Sequence, residues 1–431
     1  MKKENPPLRF NSFFAGIGGF DLALEDEGLK PLLQCEINQF CKQVLKKHWP
    51  DVRLETDITT LDAQSIPDAD VWCGGFPCQD VSVARGSKGR DGLKGKNSGL
   101  FYPFARLIAE KKPRALLIEN VLGLLSSHNG QDFRIVLETL ATEGYSIAWR
   151  VMNSRYYGAP QSRPRVFICA ILEGHGNPTE VLYEQHKGTR PKSQRAGFLT
   201  VHECLTTRAR VPEVAYCLAA TSGRHTGTDW SRTYVSYDAA VRRMTPTECE
   251  GVQGFPKDWT VVSCPVSLKD NDLDTPRYHA LGNAVAVPVI RWLAGRLRRT
   301  LSEKAHSTAS SIETIQKISN DFQDKSLRHM KLAQLHLSTD ALERSLKWQS
   351  GGVIIGDDCW DIKAPEAPSN PIESQLIDVI EPFFPADKYF LSQNAAVGIL
   401  RRVYSQNRTL FGPMQDALEN LANQRQIKMV I

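Results

Sequence analysis

The sequence predicts an α/β protein built on a doubly wound, mostly parallel sheet, and three observations predict it. Over the first 170 residues, short apolar β-type runs alternate with stretches of helical periodicity. A glycine-rich turn, Phe13-Phe14-Ala15-Gly16-Ile17-Gly18-Gly19-Phe20, joins the first run to the first helical stretch. Polar and reactive residues then follow the apolar runs, where a parallel sheet places its ligand loops.

In chain order, Arg9–Phe13, Pro31–Cys35, Val71–Trp72, Ala115–Ile118 and Arg165–Leu172 read as strands. Phe20–Glu27, Gln39–His48, Tyr102–Glu110 and Gln131–Glu143 read as helices. From Gly174 to Arg243 the periodicity weakens into polar, basic and Gly/Thr/Ser-rich stretches, which predict a small irregular domain or a set of long loops. Order returns between Met244 and Arg299, with helices at Pro246–Gln253 and Val287–Thr300. Leu301–Asp324 is polar and reads as a linker or an exposed helix. Beyond it stands a separate stretch anchored by Trp348, Trp360, Phe383, Phe384, Tyr389 and Phe390.

A chain of 431 residues can bury two or three cores. No apolar run reaches the roughly 18 residues that span a bilayer, and the N-terminus lacks a secretory h-region, so a cytoplasmic protein is expected. Ten cysteines are scattered without a CxxC pair or zinc spacing, which predicts no metal and reduced thiols. The net charge of +5 is uneven. Residues 155–243 hold 13 Lys/Arg against 7 Asp/Glu, whereas residues 301–431 hold 14 against 16. A basic middle suits a polyanion, or is a solvated basic face.

Each motif has a chemical reading and a plainer structural one. The glycines of the first turn let a ligand approach the backbone, although a bare strand–helix turn has the same composition. Glu36 follows Gly18 by 18 residues, where an acid accepts hydrogen bonds from a ribose. Asp57 falls at a third strand-end position, within reach of an adenine. Together they suggest an adenosine-bearing cofactor without separating a nicotinamide from a methyl donor.

Gly74-Gly75-Phe76-Pro77-Cys78-Gln79 sets a cysteine on a rigid Gly/Pro loop at the mouth of the sheet. A thiolate there is a strong nucleophile, whereas most cysteines are small buried hydrophobes. Glu119-Asn120-Val121 puts a carboxylate at the end of an apolar run, which is costly without a task or a partner. In Gln161-Ser162-Arg163-Pro164-Arg165, strand geometry would turn Gln161, Arg163 and Arg165 to one face. Paired arginines steady a carboxylate, a base or a phosphate.

In this order the segments resemble the motifs of DNA cytosine-5 methyltransferases of bacterial and phage type. Two more complete the resemblance: Arg243-Met244-Thr245-Pro246-x-Glu248 with Gln253-Gly254-Phe255-Pro256, and Gly282-Asn283-Ala284-Val285 with Val287-Pro288. The six motifs cover residues 10–173 and 242–300.

The resemblance implies an S-adenosylmethionine-dependent methyltransferase fold with a small irregular recognition domain and a C-terminal extension. Cys78 would attack C6 of cytosine, Glu119 would hold and protonate N3, and Arg163 and Arg165 would position Glu119, the base or the cysteine. S-adenosyl-L-methionine would lie against Phe14, Gly16, Ile17, Gly18, Gly19, Glu36, Ile37, Asp57, Ile58, Pro77, Asn283 and Val285. Gln79, Ser82 and Gln161 would meet the substrate, and the loop Arg85–Asn97 would close over a cytosine flipped out of duplex DNA. The implied partner is duplex DNA bound by a monomer, without membrane or metal, in restriction–modification or phage DNA protection.

The implied organisation is a catalytic and cofactor-binding domain (1–173), a short target-recognition region (174–241) and a return to the catalytic domain (242–300). A linker (301–324) and a C-terminal accessory or displaced recognition domain (325–431) follow. In this family the variable region supplies sequence recognition, and here, at about Glu173–Val241, it is short. His225, Thr226, Thr228, Asp229, Trp230, Arg232 and Tyr234 offer groups that read base edges or pack a loop. Part of the extension, Asp387–Arg402, is similar to a segment within the variable region of some phage-type relatives. It reads equally as a helical accessory or dimerisation domain. Asp357, Asp358 and Asp361 read as a solvated turn rather than a nuclease site. Two rivals share the motifs, a tRNA methyltransferase and a catalytically silent DNA-binding protein.

Overall fold

The computed structural model describes residues 6–77, 98–184, 198–223, 229–263, 273–302, 327–332 and 347–428. Along the chain the strands are β1 (Arg9–Phe13), β2 (Lys30–Cys35), β3 (Arg53–Glu55), β4 (Val71–Gly74), β5 (Ala115–Val121) and β6 (Tyr145–Asn153). Next come β7 (Gln161–Ser162), β8 (Pro164–Leu172), β9 (Val201–Glu203), β10 (Arg210–Pro212) and β11 (Ala215–Tyr216). The last are β12 (Tyr234–Ser236), β13 (Val241–Arg243), β14 (Arg328–Lys331), β15 (Gly351–Ile355) and β16 (Asp358–Ile362). The helices are α1 (Gly19–Asp26), α2 (Gln39–His48), α3 (Phe101–Lys111), α4 (Gln131–Thr142) and α5 (Pro178–Leu182). They continue with α6 (Pro246–Gln253), α7 (Asp274–Asn283), α8 (Val287–Ser302), α9 (Gln393–Ser405) and α10 (Gly412–Lys428).

The chain divides into two compact units, each made of separate segments. The first comprises Met1–Asn153, Pro164–Thr189 and Val289–Asn370. Its sheet runs β14-β16-β15-β6-β8-β5-β4-β1-β2-β3. Pairing is parallel from β3 through β2, β1 and β4 to β5. From β8 outward it is antiparallel. The doubly wound α/β class expected from the alternation is the observed one. Phe13, Trp72 and Phe104 form an aromatic knot in the core, with Phe13–Trp72 centroids 4.6 Å apart.

Among the parts of this unit that escaped the sequence reading, β6 and an added three-stranded segment matter most. Strand β6 is broken in sequence by Arg150, which is buried against Glu184 at 2.8 Å and the carbonyls of Leu182, Pro365 and Ala367. A buried, fully engaged cation reads as a surface residue in an apolar pattern. The second is the three-stranded addition β14–β16–β15, which docks on β6. Gly352 permits it, because a Cβ there would fall 2.1 Å from the Trp149 ring. Trp348 then closes over Trp149 and Phe133, with centroids at 5.7 and 5.4 Å, and donates to the Gly130 carbonyl. Asp361, expected in a solvated turn, is instead fully buried in β16 beside Arg328 and the Gln349 amide. Asp357 does lie between β15 and β16, and Asp358 pairs with Lys331 and His329.

The second unit comprises Ser154–Arg163, Arg190–Pro288 and Pro371–Ile431. It holds a four-stranded sheet, β13-β12-β10-β9, and the short pair β11-β7. Helix α6 starts as its sequence dictates: Thr245 and Glu248 form a reciprocal capping box, Pro246 opens the first turn, and Gly254 closes the helix in a left-handed conformation. Helix α7 has little amphipathic pattern, and no helix was expected there. The α9–α10 hairpin packs Leu391, Ile399, Val403, Met414 and Leu418 on Tyr234 and Val241.

Among the described residues no helix is long and apolar enough to cross a membrane. No group of three or more His, Cys, Asp or Glu there is placed to hold a metal ion.

Candidate active site

In the first unit the glycine-rich turn leaves β1 with Phe14 at φ +53°, Gly16 at +58° and Gly18 at +82°. Gly18 needs this freedom and its missing side chain, since a Cβ would strike the Trp49 ring at 2.3 Å. Around Gly16 the space is open. The Gly16 amide donates to Glu36 Oε2 and the Asn38 amide to Oε1, both at 2.7 Å. Glu36 lies one residue past the end of β2. Burial raises its pKa against the pull of these amides. Each carboxylate oxygen keeps a lone pair for a further donor.

Gly19 opens α1, and Ile17 is buried. Phe14 packs edge-on to Phe104, and Ile37 stands 65% exposed beside Glu36. Asp57 accepts from the Thr59 amide and hydroxyl at 2.9 and 2.8 Å, and Ile58 is buried behind it. A half-buried aromatic, a pinned carboxylate, an exposed isoleucine and open backbone together form a cradle at the ends of β1 and β2.

Behind this cradle lies a feature missed in the sequence. Asp21, fully buried on α1, accepts from Ser12 of β1 at 2.9 Å and from Gln34 of β2 at 2.9 Å. It joins the three elements that carry the turn. Burial pushes its pKa up to about 6. An acid within the helix after a Gly-rich turn is the only signal the sequence offers for it.

At the ends of β4 and β5 the predicted motifs meet. Parallel pairing sets Gly74 opposite Ile118, so Gly75 comes level with Glu119. A Cβ on Gly75 would lie 3.1 Å from the Glu119 carbonyl and 3.2 Å from Glu119 Oε2. Asn120 donates to the Phe76 carbonyl at 3.3 Å and thereby pins the loop leading through Pro77 to Cys78. Cys78, Gln79, Ser82 and the loop Arg85–Asn97 lie outside the described residues. Across the antiparallel pairing of β5 and β8, Arg165 Nε meets Glu119 Oε1 at 3.2 Å. Both side chains are largely buried, and Arg165 also donates to the Pro164 carbonyl at 2.8 Å.

Gln161 and Arg163 bond otherwise than a single strand face would have them. The strand is interrupted at Arg163, between β7 and β8. In the second unit, Arg163 donates to the carbonyls of Leu218 at 2.9 Å, Gly282 at 3.1 Å and Ala284 at 2.7 Å. Gln161 donates to the Val252 carbonyl and to Gln253, and accepts from the Leu218 amide. These contacts fix the backbone around Asn283, which is exposed, and Val285, which is buried. Asn283 Nδ2 lies 3.4 Å from His279. Of the recognition candidates, Asp229, Trp230, Arg232 and Tyr234 are described; His225, Thr226 and Thr228 are not.

The mostly parallel sheet, with its glycine-rich turn after β1 and its Glu–Arg pair across β5 and β8, defines the class of α/β fold. It is shared by the Entamoeba histolytica methyltransferase EhMeth, at TM-score 0.53 and 18% identity over 69% of this chain and 100% of that one. The S. pombe Dnmt2 methyltransferase shares it too, at TM-score 0.50 and 17% identity over 68% and 98%. Within that class the chain belongs to the C-5 cytosine-specific DNA methylases, whose family model matches residues 8–215 and 202–299. The Type II methyltransferase M2.BsuMI of Bacillus subtilis (strain 168) is 32% identical over 306 residues, 67% of this chain and 75% of that protein. M.HhaI of Haemophilus parahaemolyticus is 27% identical over 343 residues, 70% and 98% respectively. The chain is thus an enzyme of DNA methylation.

Proposed function

We propose that the chain methylates C5 of a cytosine flipped out of a specific duplex DNA sequence, through a covalent bond between Cys78 and C6, and that it serves restriction–modification or phage DNA protection as a monomer on DNA. The observation that carries this reading is the Glu119–Arg165 pair, 3.2 Å apart, beside the Gly75–Pro77 loop that leads into Cys78.

The target carbon is a poor nucleophile, and the residues here supply what it lacks. The Cys78 thiolate adds to C6, and the ring becomes an enamine with electron density at C5. Glu119 donates a proton to N3 and so stabilises the charge that develops there. Arg165 holds Glu119 in place. After methylation a base removes the C5 proton, the C5=C6 double bond reforms and the thiolate leaves. Glu36 and Asp57 suit ribose and adenine, while Phe14, Gly16, Ile17, Gly18, Gly19, Ile37, Ile58, Pro77, Asn283 and Val285 complete the cofactor set. S-adenosylmethionine would supply an electrophilic methyl group there. Gln79 and Ser82 follow Cys78 toward the substrate, and Gln161 and Arg163 act by fixing backbone. The base must leave the duplex for Cys78 to reach it.

The test is methyl transfer from labelled S-adenosylmethionine to unmethylated genomic DNA, with Cys78→Ser alongside and base-resolution mapping of 5-methylcytosine. The expected result is methylation within one short motif, abolished in the variant. Transfer to tRNA alone, or equal transfer by Cys78→Ser, would overturn the reading.

A further inference from the structure

The family match stops at residue 299, yet residues 371–431 are built into the second unit. Taken whole, the extension is slightly acidic, but its charge is segregated. Between Lys388 and Gln415 there are four basic residues, Lys388, Arg401, Arg402 and Arg408, and no acid. Three of the four sit on α9 or in the turn after it.

That turn is fastened to the segment following β11. Asp229, 1% exposed, accepts from Arg402 at 2.8 Å and from the Tyr234 hydroxyl at 2.9 Å. Trp230 donates to Gln406 Oε1 at 2.9 Å, and the Arg408 guanidinium lies over the Trp230 ring at 4.4 Å. Below them the apolar contacts of α9 and α10 with Tyr234 and Val241 make the junction solid. Asp229 is the acid at this corner, and Arg402 neutralises it. On α10, Glu419 is engaged by Tyr404 and Asp416 is exposed. Arg401 and Arg408 are exposed and have no carboxylate partner among the described residues. At the tip Asn407, held at φ +49°, is exposed as well.

Arginines held without acids beside a fixed aromatic complement a polyanion. The partner class is set by the activity, whose substrate is DNA. We propose that this corner, residues 229–232 with 401–408, is a duplex-DNA contact surface of the enzyme. Arg401 and Arg408 take backbone phosphates, and Asn407 reaches a base edge. Asp229 and Trp230 serve as mounts: the ion pair and the ring hold the cationic turn in one conformation before DNA arrives, so little order is lost on binding. The extension then completes a short variable region with residues from elsewhere in the chain. This rests on the DNA-directed activity and adds where DNA is held.

The experiment uses the full chain and a mixed-sequence DNA duplex, with affinity measured by anisotropy across a salt series. Each phosphate contact contributes about −0.9 to the slope of log affinity against log salt. Arg401→Ala/Arg408→Ala is expected to flatten the slope by about 2 and to weaken binding at least about tenfold at low salt, with an unchanged melting temperature. Arg401→Lys/Arg408→Lys is expected to restore the slope. Asn407→Ala is expected to relax the methylated motif at one position in base-resolution maps. Identical slopes for wild type and the alanine pair would overturn the phosphate contacts, and an unrelaxed motif would overturn the base contact. A wild-type chain that binds RNA but not duplex DNA would sink the underlying reading instead.

Discussion

Arg165 Nε stands 3.2 Å from Glu119 Oε1, across the β5–β8 pair, where the first unit's sheet passes from parallel to antiparallel pairing. The guanidinium holds the carboxyl of the residue proposed to meet N3. Glu119→Gln is expected to lower kcat by about 10²–10⁴-fold, the range of one general-acid contribution, with DNA affinity kept. Arg165→Lys keeps the charge but loses the planar fork, so an intermediate loss is expected. Single-turnover kinetics checks both; a rate within threefold of wild type for Glu119→Gln would exclude its proposed role.

Neighbouring glycines separate fold from chemistry. A Cβ on Gly74 would meet the Phe13 carbonyl at 2.1 Å, which is backbone and cannot yield. Gly74→Ala should therefore give little soluble protein. On Gly75 the Cβ would press on the Glu119 carbonyl at 3.1 Å and on its Oε2 at 3.2 Å, where a shift of a few tenths of an ångström suffices. Gly75→Ala is expected to fold normally and lose roughly 10- to 100-fold in kcat through misplacement of Glu119. Circular dichroism melts with parallel turnover assays distinguish the two outcomes.

Asp21 makes stability depend on pH. Its folded pKa, about 6, lies above the ordinary 3.8, so the folded state binds the proton more tightly than the unfolded chain does. The contribution is fully present below about pH 4 and lost as pH rises through about 6. It amounts to about 3 kcal/mol. Asp21→Asn, a neutral stand-in, should flatten the pH dependence of unfolding between these limits. Urea titrations at several pH values measure it, and an unaltered slope would count against the assignment.

Arg242 and Glu248 form a fully buried, bidentate pair at 2.7 and 2.8 Å, and Glu248 also completes the cap of α6. Arg242→Met leaves an unpaired buried carboxylate and is expected to cost about 3–5 kcal/mol. Adding Glu248→Gln should recover part of it, and a double-mutant cycle reads the coupling. Strict additivity would contradict the pairing.

Much of the fold was legible where its letters agree with its periods. Gln39–His48 and Pro246–Gln253 have the bounds expected of them, since Asn38 and Thr245 cap them as their sequence signals demand. Glu119 was found because a carboxylate ending Ala115–Ile118 needs a partner, and Arg165 is that partner. Failures occur where tertiary contacts override letters. Arg150 and Asp361 are charges buried by distant segments, and neither partner lies nearby in sequence. Arg163 escaped for a related reason: it stands in the break between β7 and β8, outside the strand that carries Arg165, which alternation on one strand does not anticipate. The two-part use of the extension, one half extending a sheet and the other building the second unit, depends on pairing that no local pattern encodes.

That division has a consequence in time. The ribosome delivers residues 1–302 before either half of the extension exists, so the nascent β6 edge waits with Trp149 uncovered. At roughly 5–20 residues per second, residues 371–431 take roughly 3–12 s to emerge. Until then the carboxylate of Asp229 has no Arg402 and Trp230 has no Arg408 above it. Newborn chains therefore pass through an interval in which the proposed DNA-contact corner does not yet exist, and it forms only after Arg402 and Arg408 have emerged.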